Sequence, residues 1–425
     1  MNNQEKKKLL AIVVVTITTI FACLILVTEL IGIKDNSNDK KTPSNTPEPI
    51  QNTGNFNIDI IRSFNNINKD NNYLISPYSI EIGLNMLRDG SLDNTKEELD
   101  KVLGNRIIND VSVNNKIGIA NGVFIKEEYK DNVKNDYYSI LNNKYHSEII
   151  YDKFTNPNKI NNWVKEKTYG MIDKILDTMD KDFVMGLANA IAIDVKWQKE
   201  FECNNTRSEE FIKVDNSKIN TEMMHQTYEY NAKYIKTNDA EGIIIPYTKE
   251  DNSNVELEFV GLLPNDSVDN YIKSLTNDKL NNIFNSLKEA DSNFHINLSL
   301  PRFSYNYEAN GSTFVNILKN LGIKDAFDPV KANFKKMVEI DNNVYVGEAI
   351  HKTHIEFNEV GTKAAAITYF GMKANGAMPV DYEEVNLVFN KPFIYMIREK
   401  NTGEMLFFGS VYEPNKWEKS TCDNM

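Results

Sequence analysis

Histidine side chains are the first place to look for catalysis or metal binding in this 425-residue sequence. The five histidines lie at positions 146, 225, 295, 351 and 354. None belongs to a His-Glu-x-x-His pair, and the sequence has no Gly-x-Ser-x-Gly elbow, no phosphate-binding Walker loop and no Cys-x-x-Cys pair. Each of those motifs fixes a nucleophile, a metal or a phosphate in a defined geometry. We therefore expect no enzyme, no catalytic residue and no cofactor.

His351, His354 and Glu356 have the residue types of a metal site. If they lie on a β-strand, successive side chains point to opposite faces of the sheet. Two histidines three positions apart would then diverge instead of converging on one ion. We therefore do not expect a metal site here.

A different kind of chemistry is suggested by residues 359–379, EVGTKAAAITYFGMKANGAMP. Gly361 permits a hinge, and the three alanines after Lys363 lack the polar groups that normally keep a long exposed segment in water. Read at the period of a β-strand, one face carries Thr362, Ala364, Ala366, Thr368, Phe370 and Met372. This pattern favours a segment that starts as an exposed loop and enters a sheet as a strand. A small-residue helix or a flexible linker would also fit these residues alone.

Several neighbouring segments predict the elements that would position such a loop. Residues 294–300 alternate as a half-buried strand should, and residues 400–403 predict a turn between two strands. Thr95 and Glu98 have the spacing of a capping box, and Gly104 would end the helix that they begin. The buried face of that helix would consist of Leu99, Val102 and Leu103.

Two motifs in the carboxyl-terminal quarter resemble inhibitory serpins. Residues 357–366, FNEVGTKAAA, resemble the proximal hinge of the reactive-centre loop, and residues 389–393, FNKPF, resemble the strand that follows it. Further similar segments occur in the family's order: YLISPYSI at 73–80, NNWVKEKTYG at 161–170, LANAIAIDVKW at 187–197, SLPRF at 299–303 and GIKDAF at 322–327. The resemblance covers about residues 55–415. Ala192 and Asp194 replace the aromatic residue and the lysine that the family usually has, so we expect different packing there.

The resemblance implies an α+β fold. A single large domain, residues 55–417, would contain a central β-sheet that can accept the reactive-centre loop, about residues 359–386, as an extra strand. Further β-sheets and helices would surround it. The resemblance also implies a polar shutter where the sheet parts, formed by Ser76, Ser79, Asn189 and His351, and places Trp197 in the breach above it. A buried polar cluster of this kind is stable only while its hydrogen bonds are satisfied.

The function implied by the resemblance is suicide inhibition of a serine or cysteine protease. The protease would be the partner, and the inhibitor itself would be a monomer. The hinge would consist of Glu359, Gly361, Thr362, Ala364, Ala365 and Ala366. Counting seventeen residues from Glu359 places the scissile bond between Asn375 and Gly376, with Lys373 and Ala374 as the runner-up pair. The alternative is a non-inhibitory binding or structural module whose loop is cleaved without trapping anything. The small, uncharged inserting face favours the inhibitor.

Composition limits the possible partners and the disulfides. The net charge of −12 and the pI near 5.1, without a long basic tract, argue against a nucleic-acid partner. Cys23, Cys203 and Cys422 lie far apart in the sequence and imply no disulfide framework.

The amino terminus predicts a membrane anchor. Residues 1–8 form a basic tail, and residues 9–33 are apolar enough to cross about 30 Å of hydrocarbon. The preceding lysines favour a cytoplasmic amino terminus and an extracellular domain on the outer face of the cell membrane. A cleaved signal peptide and lipidation at Cys23 are the alternatives, giving a secreted or lipid-anchored form. Residues 34–54 would be a polar, proline-containing tether, and residues 418–425 a carboxyl-terminal tail.

Overall fold

The computed structural model describes residues 52–111, 116–179, 183–251, 253–309, 311–341, 343–347, 349–362 and 382–415, without the side chains of residues 187–189. These residues belong to one compact unit, Glu48–Met425. The expected basic tail, anchor and carboxyl-terminal tail lie outside the described residues, as does the tether up to residue 51. Within the described ranges, no helix has both the length and the apolar character needed to cross a bilayer.

Helices and strands are mixed along the chain, which confirms the α+β class. The α-helices are α1 Phe56–Ile67, α2 Pro77–Gly90, α3 Asp93–Leu103, α4 Asn135–Tyr145, α5 Asn158–Lys167, α6 Val268–Lys273, α7 Asn277–Asn285 and α8 Gly311–Leu321. The strands are β1 Tyr73–Ile75, β2 Ile117–Lys126, β3 Glu148–Asp152, β4 Met185–Ile193, β5 Val195–Lys196, β6 Arg207–Ile212, β7 Lys218–Tyr228, β8 Lys233–Lys236, β9 Ala240–Pro246, β10 Leu257–Pro264, β11 Leu287–Glu289, β12 Phe294–Pro301, β13 Phe303–Ala309, β14 His351–Phe357, β15 Gly361–Thr362, β16 Glu383–Val388, β17 Phe393–Glu399 and β18 Met405–Val411. Short 3-10 helices span Glu127–Asn132, Cys203–Asn205 and Asp325–Phe327.

Two of the sheets contribute buried residues to the main hydrophobic core. A seven-stranded sheet has the order β1-β18-β17-β10-β9-β8-β11, and all residues of β10 and β18 are buried in it. A four-stranded sheet has the order β16-β12-β7-β6, in which β12 and β16 are parallel. In β12 the odd and even positions alternate between half-buried and buried, as the sequence predicts. The predicted turn at residues 400–403 lies between β17 and β18, with Gly403 at a φ of 75°.

The central sheet is in two halves that meet at the hinge. One half has the order β3-β2-β4, and the other has the order β13-β14-β15-β5. Because β4 runs directly into β5, the short strand β15 connects the two halves at one end only. Beyond β15, in the part of the chain that the structure describes, no hydrogen-bonded ladder joins β14 to β4. Strand edges that lack a ladder partner are where an added strand can pair.

The amino-terminal capping of helix α3 differs from the prediction. It begins at Asp93 after Leu92, which caps it without a side-chain hydrogen bond, so the predicted capping box at Thr95 and Glu98 is wrong. The Thr95 Oγ1 instead accepts from the Asn333 backbone N–H, and a Glu98 carboxylate oxygen accepts from two backbone N–H groups near residue 325. The buried face and the ending at Gly104, with φ of 64°, are as predicted.

Cys203 corrects the expectation for the cysteines, because it is disulfide-bonded. It lies at the start of the 3-10 helix that precedes β6. Separation along the chain is a poor guide to pairing, since a disulfide depends on Cα distances in the fold.

Candidate functional site

The first two residues of the predicted inserting face are already a strand. Gly361 and Thr362 form β15, in which Thr362 pairs with Phe357 of β14 on one side and with Val195 of β5 on the other. Both pairings are antiparallel, and Thr362 is buried. The expectation that the segment starts as an exposed loop is therefore wrong for these two residues. The sheet holds them as the beginning of an additional strand.

A tight turn leads from β14 into β15, and it requires glycine at position 361. The Asn358 side-chain oxygen accepts from the backbone N–H groups of Val360 (3.0 Å) and Gly361 (3.1 Å). A Cβ at Gly361 would lie 2.1 Å from the carbonyl oxygen of Val195. Because that carbonyl belongs to the neighbouring strand, it has no room to move away. The glycine that the sequence marks as a hinge is thus needed for close approach of two backbones.

Aromatic side chains enclose Thr362. The Tyr247 hydroxyl and the Thr362 Oγ1 are hydrogen-bonded at 2.7 Å, and both residues are buried. Burial raises the pKa of Tyr247 well above its ordinary value, so the phenol keeps its proton. The Trp197 indole stacks on the Tyr247 ring, with centroids 4.6 Å apart and planes at 11°. The sequence assigns Trp197 to this region but gives Tyr247 no role.

Trp197 also holds the turn through two hydrogen bonds. Its indole N–H donates to the Asn358 carbonyl oxygen at 2.9 Å, and its backbone N–H donates to the Val360 carbonyl oxygen at 2.9 Å. Its side chain is almost fully buried, at 1% exposure. The breach position that the resemblance implies for Trp197 is therefore in direct contact with the hinge.

Glu359 is a buried charge with partners from two distant segments. Its carboxylate accepts from the Thr206 hydroxyl at 2.7 Å and lies 3.3 Å from the Arg302 guanidinium. Its carbonyl oxygen accepts from the Phe201 N–H at 2.8 Å. Removing one member of a buried ion pair leaves the other charge uncompensated, at a cost of about 3–5 kcal/mol. Sequence analysis names Glu359 but misses Thr206 and Arg302 as its partners.

Three of the four predicted shutter residues meet beside β14. The His351 Nε2 accepts from the Ser76 backbone N–H at 3.1 Å, and the Ser76 Oγ accepts from the Ser79 backbone N–H at 3.1 Å as the N-cap of α2. All three residues are buried. Burial lowers the pKa of His351 to about 3, so the ring is neutral and its Nε2 is free to accept. Asn189 lies on β4, paired with Asn121 of β2, but its side chain is among those that the structure does not describe.

The other predicted hinge residues and the reactive bond lie outside the described residues. These are Ala364, Ala365, Ala366, Lys373, Ala374, Asn375 and Gly376. Strand β16 begins at Glu383, within the range expected for the loop. The described chain therefore supplies both ends of the loop: Thr362, in the central sheet, and Tyr382, before β16.

His354 and His351 diverge as two residues on opposite faces of a strand should. His351 is buried, whereas the His354 Nδ1 lies 2.8 Å from the Asn306 side-chain oxygen on the half-exposed face. Within the described ranges, no group of three or more histidine, cysteine or carboxylate side chains could hold a metal ion.

Ser299, His225 and Glu209 have the residue types of a hydrolase triad. The Ser299 Oγ lies 2.9 Å from the His225 Nδ1, and the Glu209 carboxylate lies 3.1 Å from its Nε2. The three side chains lie on adjacent strands of one sheet, where the neighbouring backbone groups of β12 are engaged with β7 and β16. Acyl transfer needs N–H groups aimed at an oxyanion. A sheet face whose amides form ladders does not offer them, so this cluster gives no support to an enzyme.

Comparison with known proteins identifies a family that matches most of the chain. The family described as Serpin (serine protease inhibitor) matches residues 51–414. Among curated proteins, Serpin-Z7 of Hordeum vulgare is 28% identical, with 81% of this chain and 90% of that protein covered. Neuroserpin of Homo sapiens is 27% identical, with 84% and 89% covered.

Solved structures agree with the sequence match. The thermophilic serpin tengpin in its native state superposes with a TM-score of 0.73 and 33% sequence identity, covering 85% of this chain and 93% of that one. The latent state of the same protein gives a TM-score of 0.68 and 32% identity, covering 86% and 97%.

Proposed function

Because the chain belongs to the serpin family, we propose that it is a suicide inhibitor of a serine or cysteine endopeptidase. Members of this family are generally protease inhibitors rather than enzymes. The observation that carries the proposal is strand β15. Gly361 and Thr362 already lie between β14 and β5, in the direction that an inserting loop must follow. An inhibitor of this kind needs such a starting point.

The reaction begins as ordinary proteolysis of the loop. The protease Oγ or Sγ attacks the carbonyl carbon of the scissile bond, the C–N bond breaks, and the new amine leaves with the carboxyl-terminal part of the chain. The amino-terminal part stays bound to the protease as an acyl-enzyme. Freed at one end, the loop extends β15 between β14 and β4 and carries the protease with it. Deacylation then competes with insertion, and fast insertion traps the complex.

The energy for insertion comes from pairing and burial. Each added backbone hydrogen bond contributes about 1 kcal/mol net, and burying the small apolar side chains adds about 25 cal/mol per Å². A strand that pairs on both edges would gain on the order of 10 kcal/mol from its hydrogen bonds. We propose that these bonds form with the edges of β14 and β4 that face each other without a backbone ladder in the described residues.

The scissile bond that we propose is Asn375–Gly376, with Lys373–Ala374 as the runner-up. The first choice follows from the family's loop length counted from Glu359, because the inserted length fixes how far the protease is displaced. Asn375 would suit an asparagine-preferring cysteine protease or a tolerant serine protease, whereas Lys373 would suit a trypsin-like protease. The pattern of the amino terminus further supports an inhibitor tethered to the outer face of the membrane by residues 9–33.

The test is to mix the full-length protein with a panel of serine and cysteine proteases. We expect an SDS-stable complex with at least one of these proteases. Mass spectrometry should show that the released peptide begins at Gly376. Asn375→Ala and Lys373→Ala, measured separately, serve as each other's control. If only Lys373→Ala abolishes inhibition and the cleaved product ends at residue 373, the Asn375–Gly376 assignment is wrong. Cleavage by every protease without a stable complex would favour the non-inhibitory module.

A further inference from the structure

Tyr247 is the one side chain whose hydroxyl reaches Thr362 among the hydrogen bonds of the described residues. The two residues are 115 positions apart in the sequence, and the 2.7 Å bond between their hydroxyls lies in the interior. Tyr247 is held in turn by the Trp197 indole stacked on its ring and by an isolated bridge between the two backbones. The phenol is thus held by contacts other than its bond to Thr362.

Apart from this bond, strand β15 itself is attached through backbone contacts, whereas the turn that precedes it is held by the Asn358 side chain, the Trp197 indole and the Glu359 carboxylate. Thr362 pairs with Phe357 and Val195, and the Trp197 N–H donates to the Val360 carbonyl oxygen. A two-residue strand has few such bonds, so a single buried side-chain bond is a large share of what holds it. The hydroxyl pair also selects the register. A shift by one residue would turn the Thr362 side chain to the other face, away from Tyr247.

We infer that Tyr247 is a positioning residue for inhibition, which holds Thr362 between β14 and β5 so that the loop inserts from an existing strand end. The inference rests on the proposed inhibitory function. Starting a strand costs the ordering of residues before most hydrogen bonds form, whereas extending a strand adds bonds one residue at a time. A hinge held in register omits that slow step. Insertion therefore begins as soon as the loop is cut, while the acyl-enzyme is still intact.

The decisive variant removes one oxygen atom. Tyr247→Phe retains the ring that stacks on Trp197 and loses only the bond to Thr362. We expect the stoichiometry of inhibition, the number of inhibitor molecules consumed per protease, to rise about two- to fivefold, because a lost bond of this size changes a population by about fivefold. The second-order rate constant for the first encounter should change much less.

Four further variants separate positioning from general destabilisation. Thr362→Val removes the other hydroxyl, and the double variant with Tyr247→Phe should be no worse than either single change, because both remove the same bond. Thr362→Ser keeps a hydroxyl and should restore most of the inhibition that Thr362→Val loses. Tyr137→Phe is the matched control. The Tyr137 hydroxyl is also buried and donates to one acceptor, the Met86 carbonyl oxygen at 3.1 Å, but it lies on α4, which packs against α2 and β3.

A second readout needs no protease. Hydrogen exchange of the Trp197 backbone N–H, which donates to the Val360 carbonyl oxygen, should become about fivefold faster in Tyr247→Phe and stay unchanged in Tyr137→Phe. Equal exchange in Tyr247→Phe and the unmodified protein would overturn the inference. An equal rise in the stoichiometry of inhibition for Tyr247→Phe and Tyr137→Phe would also overturn the inference. If the unmodified protein traps no protease, the proposed function fails, and the exchange measurement still decides the role of Tyr247.

Discussion

Thr362 is the side chain on which the fate of a cleaved loop depends most directly. It is 1% exposed, lies between two strands and shares a hydrogen bond with Tyr247. A threonine can be buried there because its hydroxyl has a partner and its methyl group is small. Its described partners in pairing and hydrogen bonding, Phe357, Val195 and Tyr247, carry no charge that could compensate a buried ion. A charged side chain at position 362 would therefore be buried without a compensating partner among these residues.

The first prediction concerns Thr362→Arg, which should convert the inhibitor into a substrate. Burying an unpaired guanidinium costs several kcal/mol, so β15 is expelled and insertion slows while deacylation continues at its own rate. We expect the yield of covalent complex to fall at least about tenfold, which corresponds to about 1.4 kcal/mol, with cleavage of the loop retained. Gel analysis of complex against cleaved product measures the ratio.

Lys363→Arg is the matched control for that change. The alternation of the sequence predicts that position 363 lies on the outward face, and it already carries a positive charge, so the complex should form normally. An unchanged yield in Thr362→Arg would contradict the inhibitory mechanism.

The second prediction concerns His351 and pH. Burial lowers its pKa from the ordinary value of 6.5 to about 3 in the folded protein, so the unfolded chain binds the proton more readily between these values. The free energy of unfolding has its full value, as far as His351 is concerned, above pH 6.5, and it decreases as the pH falls toward 3. Linkage gives a loss on the order of 3 kcal/mol between pH 7 and pH 4 from this residue alone. Protonation would also remove the acceptor for the Ser76 N–H.

Unfolding in urea across this pH range provides the measurement. His351→Gln should flatten the dependence between pH 6.5 and pH 4, whereas His146→Gln, at an exposed histidine, should leave it unchanged. Parallel curves for the unmodified protein and His351→Gln would show that His351 is not the titrating group.

At the scale of elements, the central sheet is arranged to gain a strand. The two halves β3-β2-β4 and β13-β14-β15-β5 are joined at β15, and no ladder connects β14 with β4 in the described ranges. Segment 170–179 follows α5 along the chain. Its position is fixed by Asn161, whose side-chain oxygen accepts from the N–H groups of Ile175 (2.8 Å) and Leu176 (3.0 Å). Along β14 and β4, the described part of the sheet therefore has unfilled capacity for backbone pairing.

The third prediction is that cleavage within the loop raises the melting temperature. An intact loop is tethered at both ends, by Thr362 and Tyr382, and cannot insert fully. Cleavage releases one end, and each hydrogen bond then formed with β14 or β4 contributes about 1 kcal/mol. Differential scanning calorimetry before and after limited proteolysis measures the change. The cleaved Thr362→Arg variant should show little gain, and equal melting temperatures for cleaved and intact unmodified protein would mean that the loop stays outside the sheet.

At the scale of the whole molecule, charge and the amino terminus determine where the inhibitor would work. The net charge of −12 gives the chain little attraction to acidic polymers or anionic lipid surfaces. Attachment to a membrane would then depend on the apolar residues 9–33 and not on the surface of the domain. The tether would place the loop away from the bilayer, within reach of an extracellular protease.

The fourth prediction is that the full-length chain fractionates with membranes and resists extraction by alkaline carbonate. The double variant Ile20→Arg and Leu24→Arg should release it, because each arginine near the centre of a span costs about 2.5–3.5 kcal/mol. Asn38→Arg with Asn45→Arg, which adds the same charge to the tether, is the control and should remain bound. Recovery of the unmodified chain in the soluble fraction would contradict the anchor.

The sequence by itself determined the features that depend on neighbouring residues. Alternation at residues 294–300 predicted β12, and the apolar spacing of Leu99, Val102 and Leu103 predicted the buried face of α3. Gly361 and the small residues after it predicted a segment able to enter a sheet. The first two predictions are confirmed because the period of a strand or helix is a property of the local chain, whereas entry of the segment beyond Thr362 stays a prediction.

The tertiary structure alone decided which distant residues meet. Tyr247 reaches Thr362 across 115 positions, Thr206 reaches Glu359 across 153, and Thr95 accepts from Asn333 instead of capping its own helix. No local pattern encodes these contacts, since each depends on how separate strands come to lie side by side. The same is true of β15: its residue types allow it to be a strand, but only the space between β14 and β5 determines that it already is one.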